Sequence, residues 1–592
     1  MRNVRRLAAF LLASLLLLSL AACNKKDNPD SSSAPGVDSS INESSEPVGP
    51  DSSDPSTPDE SDTSSDSTVT TKKPDGGTVT TTTKKPGGGT VTTTTKKLGG
   101  GTVTTTTTKK PTTTTQPQIT DWEKPVTSNT AILYNKQTSS YDSQAETMRQ
   151  NILNTKDQVK PSTTGKTYYV SYKGNDKNDG LTPATAWRST TRVGKDPYAF
   201  SNGDVILFER GGVYRGKMKL WKDVSVGAYG SGPKPALYGS LQNYADESLW
   251  KETSTKNVWQ LDVGKDTPDV GMIVFDHGKD VAAEGKKCAS PYKLTKNFDF
   301  YHNVNRGRVE LYCDKGNPGK IYSDIEVCSR GNVIGDNGAA VQNIRIDNLC
   351  IKYTGSHGIG FGNAGSSSMK NITVTNCEIG WIGGSLQNES VRYGNGFEVY
   401  GAVDGLLFEN NWVYMCFDAG YTNQGGSCTQ QNITVRNNLI EYCNYNIEVF
   451  VDKTNGKIIN TKYENNMLRF AGYGFGTSTA SRFGSNNWLT SSFRGMQNTM
   501  NCTNVYVQNN ILDTSWRTLV VSAYCDGKKG PLFKGNTWVQ HNDTNSAAIL
   551  TNDTDVDGWT HRNFMLPAGN LTTMQNSVKQ YDKTATVKFE TK

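Results

Sequence analysis

Two glutamates stand in closely similar settings. Glu398 lies in GNGFEVYG at 394–401 and Glu448 in YNIEVF at 445–450. In each, the glutamate sits between apolar residues in a short extended stretch. The alternation of a strand buries the neighbours and turns the carboxylate outward. Two carboxylates held at a fixed separation can cleave an acetal such as a glycosidic bond. One protonates the leaving oxygen; the other activates a water or attacks the sugar carbon. A third carboxylate, Asp418 in FDAGYTN, lies between them in sequence. Tyr400, Gln424 and Phe450 follow the three acids closely, while Arg392, Trp488 and Arg494 ride on two long insertions, so all six are candidates for holding a substrate. Glutamates fifty residues apart cooperate only if the fold stacks them.

A recurring phrase supplies the stacking. NIRIDNLCI, NITVTNCEI, GLLFENNWV, NITVRNNLI, NTKYENNML, TNVYVQNNIL and PLFKGNTWV share alternating apolar residues, an asparagine and a further apolar run. The aligned residues are Asn348, Asn376, Asn410, Asn437, Asn465, Asn509 and Gly535, at intervals of 26 to 34 residues with one of 44. Asparagine tolerates the left-handed turn conformation, and its amide can bond to the copies above and below. Stacking of equal coils explains a fixed multi-strand unit with an asparagine at a fixed place, so the expectation is a parallel β-solenoid.

These repeats, with YYVSYKGNDKNDGLTPATAWRS and GDVILFERGGVYRG nearer the N-terminus, resemble the right-handed parallel β-helix proteins of the pectate-lyase-like superfamily over roughly 167–552. RYGNGFEVYG, DAGYTNQGG and YNIEVF are similar to a bacterial subgroup related to β-helix glycoside hydrolases. The resemblance implies an all-β, right-handed parallel β-helix. It leaves activity open, because lyases, hydrolases and adhesins share that architecture.

Aligning the later strands of the repeat puts Ile359, Phe397, Tyr421, Ile447, Phe475 and Leu519 in one inward column. The next column, facing out, is then Gly360, Glu398, Thr422, Glu448, Gly476 and Val520. Coils repeat every ~4.8 Å, so Glu398 and Glu448 are expected roughly 9 to 10 Å apart at the backbone, with Thr422 between. That is near the range of about 6.5 to 9.5 Å for inverting glycosidases; the adjacent-coil pair Glu398 and Asp418 would suit the closer retaining range. Three readings follow: a glycoside hydrolase using Glu398, Asp418 and Glu448; a polysaccharide lyase using Arg392 or Arg494 as base; or a β-helix that binds carbohydrate without chemistry. In each the partner is a polysaccharide or oligosaccharide. Glu441, Arg469 and Asp513 share another column and read as a charge ladder. Cys416 and Cys443 share a column as stacked thiols or a disulfide. His357 opens a strand and could serve a site, but reads first as a turn residue.

The ends carry no such pattern. The basic and apolar start MRNVRRLAAFLLASLLLLSLAAC reads as a lipoprotein signal peptide over 1–22, with lipid on Cys23. Residues 23–118 hold a Ser/Pro/Asp stretch and then a Thr/Lys/Gly repeat with one valine per unit, which cannot bury a core and reads as a disordered linker. Residues 119–166 contain a helical stretch, SSYDSQAETMRQNILNTKDQ, expected to cap the solenoid that fills 167–592 or to dock the linker onto it; the tail beyond Asp553 is expected to close its other end. This arrangement implies a protein on the outer face of a bacterial cytoplasmic membrane, attached through its N-terminal lipid only, and monomeric. A net charge of +6 over 592 residues, without a basic stripe, argues against a nucleic-acid partner. Eleven cysteines without a CxxC pair and five scattered histidines predict no metal site and no cofactor. The one calcium-style stretch, GNDKNDG at 174–180, reads as a plain turn.

Overall fold

The computed structural model describes three strands between 79 and 107 and then residues 137–590, apart from 279–284, 363–366, 388–390, 452–454, 478–489, 496–500, 523, 542–546, 552–561 and 566–570. The chain divides into two units, Met1–Lys109 and Lys110–Lys592. In the first, Val79–Lys84, Thr90–Leu98 and Thr102–Thr107 pair as an antiparallel three-stranded sheet. β-Branched threonine favours the extended backbone even where almost nothing apolar is present to bury.

The second unit is a right-handed parallel β-helix. Three sheets of ten strands run side by side, and each coil contributes one strand to each. A typical coil runs Thr429–Arg436, Leu439–Glu441 and Tyr445–Phe450 through the first, second and third sheet. Pairing is parallel throughout the stack until the last pair of the third sheet, Ala547–Thr551 with Arg562–Met565, which is antiparallel. The interior is a continuous apolar column; Ile359, Phe397, Tyr421 and Ile447 are fully buried in it.

The corner between the first two sheets uses two adjacent residues for two tasks. Asn348, Asn376, Asn410, Asn437, Asn465 and Asn509 have φ between 54° and 63°, and Gly535 has 66°, so the aligned column supplies the left-handed bend. The hydrogen-bonded ladder expected of this column belongs mainly to its C-terminal neighbour. Asn411, Asn438, Asn466, Asn510 and Asn536 are buried, and each of the first four donates backbone N–H and side-chain Nδ2–H to the Oδ1 of the next, at 2.9–3.1 Å. Asp582 ends the series by accepting both donors of Asn536 at 2.9 Å. The bend points the first side chain outward and the second into the corner, where buried amides need partners.

The helix Asp142–Leu153 forms where the sequence indicates, but it does not lie over an end of the solenoid. It lies along the outer face of the second sheet, with Ala145 and Ile152 packed among Trp412, Tyr414, Met415, Tyr442 and Phe470. Its N-terminal flank reaches the last coils, Ser139 Oγ donating to Asp513 Oδ2 at 2.6 Å, and its C-terminal flank reaches an early one, where Gln158 N–H meets Asp347 Oδ2 at 2.7 Å. The helix is thus a lateral strap. It completes the predicted charge ladder: Arg149 binds Glu441 at 2.8 Å, Arg469 binds Asp513 at 2.9 Å, and Asp142 pairs with Arg469. The ends are closed by other segments. Trp187, Val193 and Phe200 cover the first coils, and Met574 and Val578 of the helix Leu571–Lys579 join the core at the last, as expected of the tail.

The solenoid is also interrupted. Between Tyr238 and Ile334 the chain builds an antiparallel sheet from Trp250–Glu252, Val258–Asp262, Arg308–Tyr312 and Asp299–Asn303, with Lys286–Lys287 at its edge. Trp250, Leu261, Phe300, Val309 and Leu311 give it a core of its own. The sequence reading had run the solenoid through this region. In the loop 174–180, Asp179 accepts the local Leu181 amide at 3.0 Å, while Asp176 ties the loop to the next segment by accepting the Arg188 and Ser189 amides at 2.8 and 3.0 Å.

Candidate active site

The third sheet places the acids in one column. Gly360 pairs with Glu398, Glu398 with Thr422, and Thr422 with Glu448. The predicted register therefore holds across these four coils. It fails at the next. Phe475 lies in a short 3-10 turn, Phe475–Thr477, and packs against Phe417 and Trp381 on the outer cluster. The strand that continues the sheet is Ser491–Gly495, from within the insertion, with Phe493 on Ile447 and Arg494 on Glu448. After it, Val520 follows Phe493 and Val521 follows Arg494, one residue later than the sequence alignment gave. The column is thus Gly360, Glu398, Thr422, Glu448, Arg494, Val521.

Arg494 occupies the place assigned to Gly476, and this changes the electrostatics of the site. Its Nη1 lies 2.8 Å from Glu448 Oε1, and its guanidinium stacks on the Tyr445 ring at 4.4 Å. Burial works against the charged guanidinium, but Tyr445, Glu448 and Asp418 outweigh it and push its pKa further up. On the other side Gln424 Nε2 donates to Glu448 Oε2 at 3.0 Å.

Glu398 is met by Asn395 and His357 instead. Asn395 Nδ2 donates to its Oε2 at 2.5 Å, and His357 Nε2 lies 3.5 Å from Oε1. The amide orientation of Asn395 is fixed because its Oδ1 accepts the Ala419 N–H at 2.7 Å. His357 Nδ1 accepts the Asn395 N–H at 3.1 Å, so the expected turn bond is present and the imidazole faces the site as well. The sequence reading missed this grip. Its signal lay in the short spacing of GNGFE, which lets Asn395 reach Glu398, and in His357 opening the preceding strand.

Asp418 sits at the entry to the strand Ala419–Gln424, its backbone bonded to Gly394 on one coil and to Asn444 on the other. It therefore stands at the level between the two glutamates. In the second outward column Tyr400 pairs with Gln424 and Gln424 with Phe450. Tyr400 is 46% exposed and Phe450 half-buried, so both present ring surface next to the acids.

Arg392 does not join them. It belongs to the hairpin Ser385–Gln387 and Val391–Tyr393 and is almost wholly buried. Its Nε binds Gly384 O at 2.5 Å, its Nη2 binds Gly271 O at 2.8 Å, and it covers the Phe417 ring at 4.5 Å. It fastens the hairpin to the inserted region instead of facing a substrate. Trp488 and Cys23 lie outside the described residues. Cys416 and Cys443 are buried free thiols, as are most of the ten described cysteines.

No family model matches the chain, and no curated protein matches its sequence. Among solved structures it is similar to XylC in complex with xylose, at 11% identity over 66% of this chain and 86% of that one, with a TM-score of 0.40. It is also similar to a glycoside hydrolase, at 11% identity, 65% and 94% coverage and a TM-score of 0.32, and to pectate lyase Pel9A, at 10%, 67% and 79% and 0.33. Likeness at this level says nothing of activity. The chain is a right-handed parallel β-helix protein with Glu398 and Glu448 in one column of its third sheet and Asp418 at the entry to the strand between them.

Proposed function

We propose that this protein is a glycoside hydrolase acting on an uncharged polysaccharide. The observation that supports it is the column Glu398–Thr422–Glu448, which sets two carboxylates roughly 9 to 10 Å apart at the backbone, close to the spacing of inverting enzymes. Their partners divide the roles. A fixed cation favours the ionised form of the carboxylate beside it, so Glu448, next to Arg494, is the carboxylate that starts ionised and acts as the base. Glu398, held by Asn395 and facing His357 with no arginine paired to it among the described residues, takes the part of proton donor. In the reaction Glu398 gives its proton to the glycosidic oxygen, which keeps the electron pair of the breaking bond to the sugar carbon. A water attacks that carbon from the opposite side and passes a proton to Glu448. Asp418 adds negative charge that favours the oxocarbenium-like transition state.

The charge balance supports a neutral substrate. Arg494 is acted on by Glu448 and Asp418 and is already paired with Glu448. A lyase acting on a uronate needs a cation for the carboxylate and a free base. Arg494 is ion-paired and Arg392 is occupied by backbone carbonyls, so neither described arginine supports that chemistry. Display outside the cell through lipid on Cys23 and the 23–118 segment belongs to the same proposal. A Cys23→Ser variant found in the medium instead of the membrane fraction would support it.

The deciding experiment is a panel of neutral and acidic polysaccharides with detection of reducing ends and of the unsaturated ends a lyase leaves. Reducing ends alone, lost in Glu398→Gln and Glu448→Gln with unchanged circular dichroism, are expected. Full activity in both variants would remove the proposed site.

A further inference from the structure

We propose that His357 is a positioning residue for the proton donor: with Asn395 it receives the negative charge that forms on Glu398 as its proton leaves. This rests on the hydrolase reading above and assigns a role to a side chain outside the acid trio.

Three observations carry it. The first is the tautomer. His357 Nδ1 accepts the Asn395 backbone N–H at 3.1 Å, so that nitrogen has a lone pair there and the ring hydrogen is on Nε2. Nε2 is the atom that faces Glu398 Oε1.

The second is that His357 is held from several sides, through its backbone and its ring. Its backbone N–H donates to Asn332 Oδ1 at 3.2 Å, and the same oxygen accepts Ser356 Oγ at 2.9 Å. Ser356 Oγ also lies 2.8 Å from Tyr393 OH, and the Tyr393 ring meets the imidazole edge-on at 5.2 Å. These contacts come from the loop before Ile334, the turn before Ile359 and the inserted hairpin. With its backbone tied to Asn332 and its ring held by the Asn395 N–H and the Tyr393 ring, the imidazole keeps its direction at little further cost in entropy.

The third is the division of the carboxylate. Asn395 bonds Oε2 at 2.5 Å, while the His357 contact to Oε1 is long at 3.5 Å. A long contact is weak toward a neutral acid and shortens as the acceptor gains full charge, which concentrates its effect in the transition state. No proton passes to or from the ring: the Glu398 proton goes to the glycosidic oxygen, and His357 supplies only the Nε2–H dipole. A second proton, on Nδ1, would face the Asn395 N–H donor and break the turn that carries Asn395. The ionisable groups facing the ring are Glu398 and Tyr393, and Arg330 and Asp269 act on Tyr393 behind it.

Asparagine and glutamine substitutions separate the two ends of the ring. His357→Asn keeps an acceptor near the position of Nδ1 and loses the reach to Glu398; His357→Gln keeps a donor near the position of Nε2. The expected result for His357→Asn is unchanged circular dichroism, an unchanged KM and a kcat lower by about 10- to 100-fold, the size of a lost donor to developing charge. The alkaline limb of its kcat/KM profile should move to higher pH, and His357→Gln should recover part of the rate. A wild-type rate and profile in His357→Asn would overturn the inference. If Glu398→Gln is inactive in the same assay, that failure leaves the hydrolase reading standing. A second readout needs no turnover. Carbodiimide labelling of Glu398, followed by peptide mass spectrometry across pH, should extend to higher pH in His357→Asn. Superimposable labelling curves would overturn the inference even for a protein without detectable hydrolysis.

Discussion

Arg494 Nη1 meets Glu448 Oε1 at 2.8 Å because the strand Ser491–Gly495 emerges from the middle of an insertion and pairs with Tyr445–Phe450. Both side chains are largely shielded from water, with 13% and 8% of their surface exposed. Removing one partner of such a pair leaves an uncompensated charge, which costs about 3 to 5 kcal/mol when buried. Arg494→Met is therefore expected to lower the unfolding free energy by an amount toward the lower end of that range. The double variant Arg494→Met/Glu448→Gln should recover most of the loss. Urea unfolding of the four proteins in the cycle checks this, and a double variant no more stable than Arg494→Met would contradict it.

The two adjacent asparagines of one corner should respond oppositely. Asn437 is needed for its backbone, with φ 56°, and its side chain makes one long 3.3 Å bond to Glu409. Glycine adopts that conformation freely, so Asn437→Gly should change stability by less than about 1 kcal/mol. Asn438→Ala deprives the Asn411 N–H of its acceptor and the Phe408 carbonyl of its donor, both inside the wall. Each unsatisfied buried group costs roughly 1 to 3 kcal/mol, so a loss of about 3 kcal/mol or more is expected. Denaturant midpoints at a constant m-value provide the comparison.

Glu441 links the strap helix to acid stability. Burial favours its neutral form, but the Arg149 and Arg469 guanidinium groups outweigh burial and hold its pKa below the usual glutamate value. A carboxyl depressed in the folded state contributes stability above its unfolded pKa and loses it as pH falls through the folded one. Arg149→Ala removes one of the two cations. The acid-unfolding transition should then begin at higher pH than in the wild type, as read by tryptophan fluorescence. An unshifted transition would show that Arg469 alone suffices.

Loss of the whole strap should be more damaging. A chain beginning at 160 would expose Trp412, Tyr442 and Phe470, which pack in the cluster that Ala145 and Ile152 join. Such a contiguous apolar face favours association. Increased binding of a hydrophobic dye and a larger species in size-exclusion chromatography are expected; a dye-negative monomer would refute the covering role.

Tyr400 should affect binding more than chemistry. With 46% of its surface exposed beside the Glu398 column, it can stack on a sugar ring. Losing a contact of about 0.5 to 1.5 kcal/mol should raise KM roughly 2- to 10-fold in Tyr400→Ala, with kcat nearly unchanged. Steady-state kinetics on the substrate found in the panel separates the two constants.

The sequence by itself determined the coil. The asparagine column, the alternating strands and the register that aligns Glu398, Thr422 and Glu448 were all legible, because stacking repeats a local rule at each coil. It also contained the Glu441–Arg469–Asp513 ladder, which is the same rule applied to charge. Tertiary structure decided what interrupts the repeat. Arg494 entered the column in place of Gly476, the inserted sheet between Tyr238 and Ile334 formed its own core, and the helix beginning at Asp142 lay along the wall instead of over an end. Arg392, in an insertion beside the acids, turned inward to backbone carbonyls. The physical reason is one of range. A solenoid coil is specified by contacts with the coils before and after it, which the repeat itself records. An insertion or a strap is placed by whichever distant surface leaves the fewest apolar and charged groups exposed, and that surface exists only once the coils have stacked.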